Sequence, residues 1–210
     1  MNILPAIAAA KDEMVAIYRD LHANPELGFE ETRTSKIVAE KLAEYSVDEV
    51  HTGLGKTGVV AVIHGKSAGN RRIGLRADMD ALPIDEISGV SFASQTSGKM
   101  HACGHDGHTT MLLGAARHLS ETRDFNGTAV LIFQPAEEGL GGARQMIADG
   151  LFEKFPVNEI YGMHNSPNGR PGTFDICNGV AMAGAMFFDA HIRGVGSHAA
   201  MPQQSRDAVM

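Results

Sequence analysis

Four short polar clusters in this 210-residue chain hold the side-chain types that bind metal ions and carry protons. The densest is His101-Ala102-Cys103-Gly104-His105-Asp106-Gly107-His108. A thiolate and an imidazole two residues apart, with Gly104 between them, can face a single metal ion. Ligation by sulfur and nitrogen suits zinc, and imidazole with carboxylate oxygens extends the choice to manganese, cobalt or nickel. Taken alone, Cys103 reads equally as a buried free cysteine beside a capping histidine. The surrounding histidines and aspartate favour the metal reading.

The second cluster, Gln134-Pro135-Ala136-Glu137-Glu138, follows an apolar run. Two adjacent carboxylates at a strand end are costly unless something cationic receives them. In an irregular turn they can divide the work. One binds metal, and the other takes a proton from an activated water and passes it to a leaving amine. The plainer alternative is an exposed glutamate pair in a loop. His164-Asn165 closes another apolar run, where a lone histidine would be an ordinary polar residue; beside Cys103, His105 and a glutamate it completes a ligand set. Asp78 and Asp80 end a fourth run, as residues that orient a ligand or bridge metals, or as simple partners of Arg76. A cysteine hydrolase or redox thiol built on Cys103 and His105 is the rival chemistry. It has no resolving cysteine nearby and leaves Glu137-Glu138 without a role. His22 is placed to cap the end of a first helix. His51, His64, His118 and His191 stand in no cluster and read as surface or packing residues, and Cys177 reads as packing.

These clusters need a scaffold that brings distant segments to one edge. Apolar spacing predicts helices over Ala6–His22, with Ile7, Met14, Ile17, Tyr18 and Leu21 inward, and over Thr32–Tyr45, with Ile37, Val38 and Leu42 inward. A further helix is predicted over Gly107–Leu119, burying Met111, Leu112, Ala115, Ala116 and Leu119, and another over Gly142–Ala148. Strands are predicted at Val59–Ile63, Ile73–Ala77, Ala129–Phe133 and Ile160–Met163. The fold class is α/β, an open mixed sheet sandwiched by helices, in which ligands gather beyond the carboxyl ends of the strands. After Gly179 the character changes. Met186–Ile192 reads as a half-exposed strand, and Ser205–Met210 as the first turn of a helix capped by Ser205. The change predicts a boundary between residues 1–180 and residues 181–210, the latter beginning a second domain.

Composition excludes several classes. The 25 acids and 18 bases give a net charge of −7, with no basic run to attract nucleic acid or an anionic membrane. The apolar stretch Ile3–Ala10 is followed at once by Lys11-Asp12-Glu13, the wrong charge order for a signal peptide, and it is too short to cross a bilayer. Two cysteines imply no disulfide framework, and a reducing cytoplasm suits them.

Five motifs in order, Leu21–Gly28, Leu75–Pro83, His101–Asp106, Gln134–Gly139 and Gly196–Ala200, resemble the M20 metallopeptidase family, in its hippurate hydrolase and aminoacylase-like amidohydrolase branch. The resemblance covers essentially the whole chain. It implies a zinc-exopeptidase-like catalytic domain with an α+β lid or dimerisation domain. It also implies two divalent ions (Mn²⁺ or Zn²⁺, with Co²⁺ or Ni²⁺ compatible) and hydrolysis of a small N-acyl amino acid such as hippurate. Carried over by position, Cys103, His105, Glu138 and His164 would be metal ligands, Glu137 the general base and then acid, and Asp80 the orienting aspartate. His198 would reach across a homodimer to hold the substrate. The branch lacks the histidine that sister branches carry where Asp78 stands here. Two departures stand out. Pro202 is followed by Gln203-Gln204 where relatives often have a histidine, and family members are longer, completing the lid and adding a last metal-binding histidine. A truncated, inactive remnant that binds metal or substrate is therefore the alternative expectation for these residues alone.

Overall fold

In the computed structural model, residues 3–186 and 188–209 are described. Two helices, α1 (Pro5–Ala9) and α2 (Lys11–Ala23), open the chain, followed by α3 (Thr32–Glu44). A sheet of five strands follows: β1 (Glu49–Leu54), β2 (Gly58–His64), β3 (Ser67–Asp78), β4 (Asn126–Gln134) and β5 (Glu159–Gly162), in the spatial order β1-β2-β4-β3-β5. Helix α4 (His105–Thr122) links β3 to β4, and α5 (Gly142–Ala148) and α6 (Leu151–Lys154) link β4 to β5.

The two central apolar strands explain the layering. β2 and β4 are buried almost end to end, the signature of strands covered on both faces. Alternate side chains go to opposite sides. Val59, Ala61, Ile63, Leu131 and Phe133 pack with Ile17, Leu21, Val38, Leu42 and Leu113 from α2, α3 and α4. Val60, Val62, Val130 and Ile132 pack with Met146, Leu151 and Phe155 on the other side. The open mixed sheet with helices on both faces is thus as expected.

Register decides where chemistry can occur. β3 pairs in parallel with both β4 and β5, so all three strands end at the same edge. The β3–β4 crossover uses α4 on one face, and the β4–β5 crossover returns on the other face through α5 and α6. Adjacent parallel strands whose connections leave to opposite faces open a crevice between their carboxyl ends. Asp78 closes β3, Glu137-Glu138 follow β4, and His164 follows β5.

Several expectations need correction. The first helix is two helices. Its outer residue Ile7 is 47% exposed, and Met111 on α4 is 42% exposed, because each lies at the margin of an apolar stripe rather than on it. Strand β1 escapes pattern reading because it is a half-polar edge, antiparallel to β2 through the hairpin loop Gly55-Lys56-Thr57.

Arg170–Met210 forms a separate compact unit from Met1–Gly169. Of the strand expected at Met186–Ile192, Phe187 lies outside the described residues, and the rest joins no ladder among them. The only described pairing in this unit is a bridge between Val195 and Arg206. The helix expected from Ser205 is absent among the described residues; a 3₁₀ turn at Pro202–Gln204 precedes it, and Ser205 itself is extended with its hydroxyl bonded back to Pro202 O at 2.7 Å. Met210 lies outside the described residues. Cys177 is exposed rather than packed.

No described helix is long and apolar enough to cross a membrane. Leu131, fully buried between strand neighbours, offers a direct test of the packing. Leu131→Ala should cost about 3–5 kcal/mol, read as a lowered midpoint in urea denaturation at unchanged slope.

Candidate metal centre

The site is built around the first residue of α4. Gly104 precedes it in a left-handed conformation (φ 95°), and a Cβ there would lie 2.5 Å from Asn165 Oδ1. Glycine is therefore required between Cys103 and His105, both to turn the chain and to admit Asn165. The turn leaves His105 fully buried. Its Nδ1–H donates to Asp80, to the backbone O at 2.8 Å and to Oδ1 at 3.1 Å. Nε2 is left without a hydrogen-bond partner, facing Asp78 Oδ2 at 3.7 Å, Glu138 Oε1 at 3.8 Å and Glu137 Oε2 at 3.9 Å. A carboxylate that fixes the histidine tautomer and aims the free nitrogen at other donors is the usual support for a metal-binding imidazole. Glu138 Oε1 is likewise buried and unpartnered.

The remaining donors converge on the same place. Cys103 Sγ lies 3.4 Å from His164 Nε2, although the two residues are 61 positions apart. Three donor groups meet the spacing for a metal ion, Cys103/His105/His164, Asp78/His105/His108 and His105/Glu137/Glu138, and all share His105. The residues expected at the site, Cys103, His105, Glu137, Glu138, His164 and Asp80, are thus brought together. His198 lies in the second unit, exposed, with its Nδ1 accepting Ala200 N–H at 3.2 Å.

Asp80 does more than orient the histidine. Its second oxygen, Oδ2, accepts Glu138 N–H at 2.9 Å, so one carboxylate ties α4 to the loop after β4. Asp78 does pair with Arg76, at 2.7 Å, and also accepts from His108 Nδ1 at 2.7 Å. Burial would raise the Asp78 pKa, but the His108 hydrogen bond and the Arg76 and His105 charges hold it down at about 2. Burial pulls the pKa of His105 down, and the Asp80 hydrogen bond with the Asp78, Asp80 and Glu138 charges raises it overall. A field that favours a proton on Nε2 favours a metal cation in the same position. Burial pushes the Cys103 thiol up to about 11, helped by the Glu138 and Glu137 carboxylates. A nucleophilic cysteine needs the opposite shift, so these surroundings oppose the thiol-hydrolase reading.

His108 and Asn165 were not singled out from sequence. His108 stands three residues after His105 on α4 and so shares its face, which is the signal that was available. Its Nε2 lies 2.6 Å from Asn165 Oδ1, and its ring is 4.5 Å from that of His164. His101 joins none of the donor groups; its ring is buried with both nitrogens unpartnered, and burial lowers its pKa to about 4.

His22 does not cap its helix. It is buried and donates from Nδ1 to Asp106 at 2.6 Å and from Nε2 to Glu86 at 3.1 Å. Two donated bonds require the charged ring.

An open α/β sheet with sulfur, imidazole and carboxylate donors at its carboxyl edge defines the class: a metal-binding α/β domain. The sequence model of Peptidase family M20/M25/M40 matches residues 74–207, and the chain belongs to that family. A hippurate hydrolase of Campylobacter jejuni is 47% identical over 209 residues, which is 100% of this chain and 54% of that enzyme. An N-acetylcysteine deacetylase of Bacillus subtilis is 42% identical over 197 residues, 93% of this chain and 51% of that protein. The crystal structure of the Bacillus subtilis YXEP protein, described as a dinuclear metal binding peptidase from the M20 family, superposes with a TM-score of 0.72. It is 43% identical and covers 77% of this chain and 44% of that one. The chain spans about half the length of the curated relatives it matches.

The His22 cluster gives a pH prediction. Burial lowers the His22 pKa, but the bonds to Asp106 and Glu86 outweigh it and raise the value above the ordinary 6.5. The stabilisation is therefore complete below about pH 6.5 and is lost as pH rises through the higher folded value. The stability gap between the native chain and His22→Gln should shrink steadily from pH 6 to pH 9 in urea titrations. A gap that widens with pH would contradict the charged ring.

Proposed function

We propose that this chain carries the greater part of the catalytic site of a metal-dependent amidohydrolase acting on N-acyl amino acids. Cys103, His105, Glu138 and His164 are its metal ligands and Glu137 its proton carrier. One observation carries the reading: the buried, partnerless Nε2 of His105, aimed at three carboxylates while Asp80 holds Nδ1. The mixture of sulfur, imidazole and carboxylate donors fits a pair of divalent ions, Mn²⁺ or Zn²⁺, with Co²⁺ or Ni²⁺ compatible. Bound there, such ions supply Lewis-acid polarisation of an amide carbonyl and lower the pKa of water.

The chain's own residues do the rest. Glu137 is the more exposed of the pair, with a side chain 39% exposed against 27% for Glu138, so it is the one free to meet water and substrate. It accepts the proton of the attacking water and returns it to the departing amine nitrogen. Asp80 holds His105 in one tautomer and, through Glu138 N–H, holds the glutamate loop at a fixed distance from it. His198, in the segment 181–210 that we assign to the beginning of the lid, stabilises the developing oxyanion from the second protomer of a homodimer, an interaction worth about 3–4 kcal/mol. The hippurate hydrolase and deacetylase relatives support an aroyl or acetyl group on the scissile nitrogen. A cytoplasmic setting accords with two free cysteines.

The test is hydrolysis of a panel of N-benzoyl and N-acetyl amino acids with added Mn²⁺ or Zn²⁺. Glu137→Gln should lower kcat by about 10²–10⁴-fold with metal content, measured by elemental analysis, nearly unchanged. Loss of metal together with activity would make Glu137 a ligand instead. Metal uptake without turnover of any panel member would leave a binding role.

A further inference from the structure

The N-terminal segment that carries the first motif has no part in the donor set, yet it touches both loops that present the donors. Glu26 O accepts Ala81 N–H at 2.8 Å, next to Asp80, and Leu27 bridges Ala81. Glu31, at the start of α3, is fully buried. Its Oε1 accepts Ala136 N–H at 2.8 Å and its Oε2 accepts the Thr57 hydroxyl at 2.6 Å. Ala136 is itself fully buried and sits in the left-handed region with φ 50°, an unfavourable conformation for a residue with a Cβ. It immediately precedes Glu137-Glu138. Gly28 is packed beneath it: a Cβ at Gly28 would lie 3.0 Å from Ala136 Cα and Cβ.

Resting on the metal-site reading above, we infer that Glu31 is a positioning residue for the metal site. Its carboxylate grips Ala136 N–H and so holds the left-handed turn that sends two successive carboxylates toward His105. The turn matters because neighbouring side chains on an extended strand point to opposite faces. The left-handed turn at Ala136, just past the end of β4, lets Glu137 and Glu138 both come within 4 Å of one nitrogen, as they do at 3.9 and 3.8 Å. The turn has three restraints: Glu31 on its N–H, Gly142 N–H on its carbonyl at 3.0 Å, and Asp80 on the following Glu138 N–H. Glu31 is the one that comes from outside the catalytic edge. A carboxylate with no offsetting cation is an expensive thing to bury; burial and the nearby Asp80 charge raise the Glu31 pKa, and only hydrogen bonds from Thr57, Ala136 and its own backbone oppose them. A plain packing role would be filled better by an apolar side chain.

The experiment is Co²⁺ titration of the 210-residue chain, read by affinity and by the visible spectrum, alongside circular dichroism. Glu31→Ala and the shorter Glu31→Asp should each weaken Co²⁺ binding by about 10–100-fold, and the thiolate-to-cobalt absorption from Cys103 should persist while the d–d bands shift. Glu31→Gln keeps an acceptor for Ala136 N–H and should lose less than about tenfold in affinity. Native affinity and spectrum in Glu31→Asp, or a loss in Glu31→Gln as large as in Glu31→Ala, overturns the inference. If Glu31→Ala does not fold, Glu31→Asp against Glu31→Gln decides it. An unaltered chain that takes up no Co²⁺ overturns the metal reading itself, a distinct result.

Discussion

One carboxylate, that of Asp80, holds the two halves of the site together. One of its oxygens bonds to the His105 ring and the other to the Glu138 backbone. Those residues belong to different crossovers, one leaving toward α4 and the other toward α5. Their separation is therefore set by hydrogen bonds rather than by either element alone. Because Asp80 follows β3, which is paired on both sides by β4 and β5, the reference point is anchored to the sheet from two directions. Everything else at the crevice is arranged around that fixed pair: the Gly104 turn, the left-handed Ala136 and the Cys103–His164 approach.

Charge at this edge is arranged in tiers. Nearest the crevice, the carboxylates of Glu137 and Glu138 face the one partnerless nitrogen of His105, an arrangement that favours a cation. Behind them, Asp78 is balanced by Arg76 and His108, and further along α4 Asp106 is balanced by His22. The outer charges are satisfied within the protein. The inner ones are complementary to something positive that the protein does not itself supply.

How much of this could be read from the amino-acid sequence depends on distance along the chain. β2 and β4 were legible because continuous apolar runs of that length belong to strands covered on both faces, and α5 was legible to its end residues. β1 was not, since Glu49, His51 and Thr52 are polar and only the hairpin geometry makes them a strand. The donor residues were legible because their types and spacing are unusual in themselves. Of their supports Asp80 was legible too, but the others were hidden, because His22 and Asp106 are 84 positions apart and Glu31 and Ala136 are 105 apart. No local pattern links such residues; only the parallel register and the packed N-terminal segment do. Cys177 and Met186–Ile192 were misread for a related reason: an apolar residue or an alternating pattern predicts burial only where a partner surface exists.

The parallel pairing of β3 with β4 and β5 also makes the assembly of the donors depend on contacts between distant segments. Parallel neighbours cannot be joined by a tight hairpin, so each must wait for a long loop to close, and loop closure between distant segments is slow. Cys103 and His105 lie two residues apart and are together from the start. The glutamates join them only where β4 is docked, and His164 only where β5 lies beside β3. An ion that reached the nascent chain early would find two donors and be free to leave. Tight capture is thus reserved for a sheet whose last described strand is in register, and ion retention becomes a read-out of completed topology.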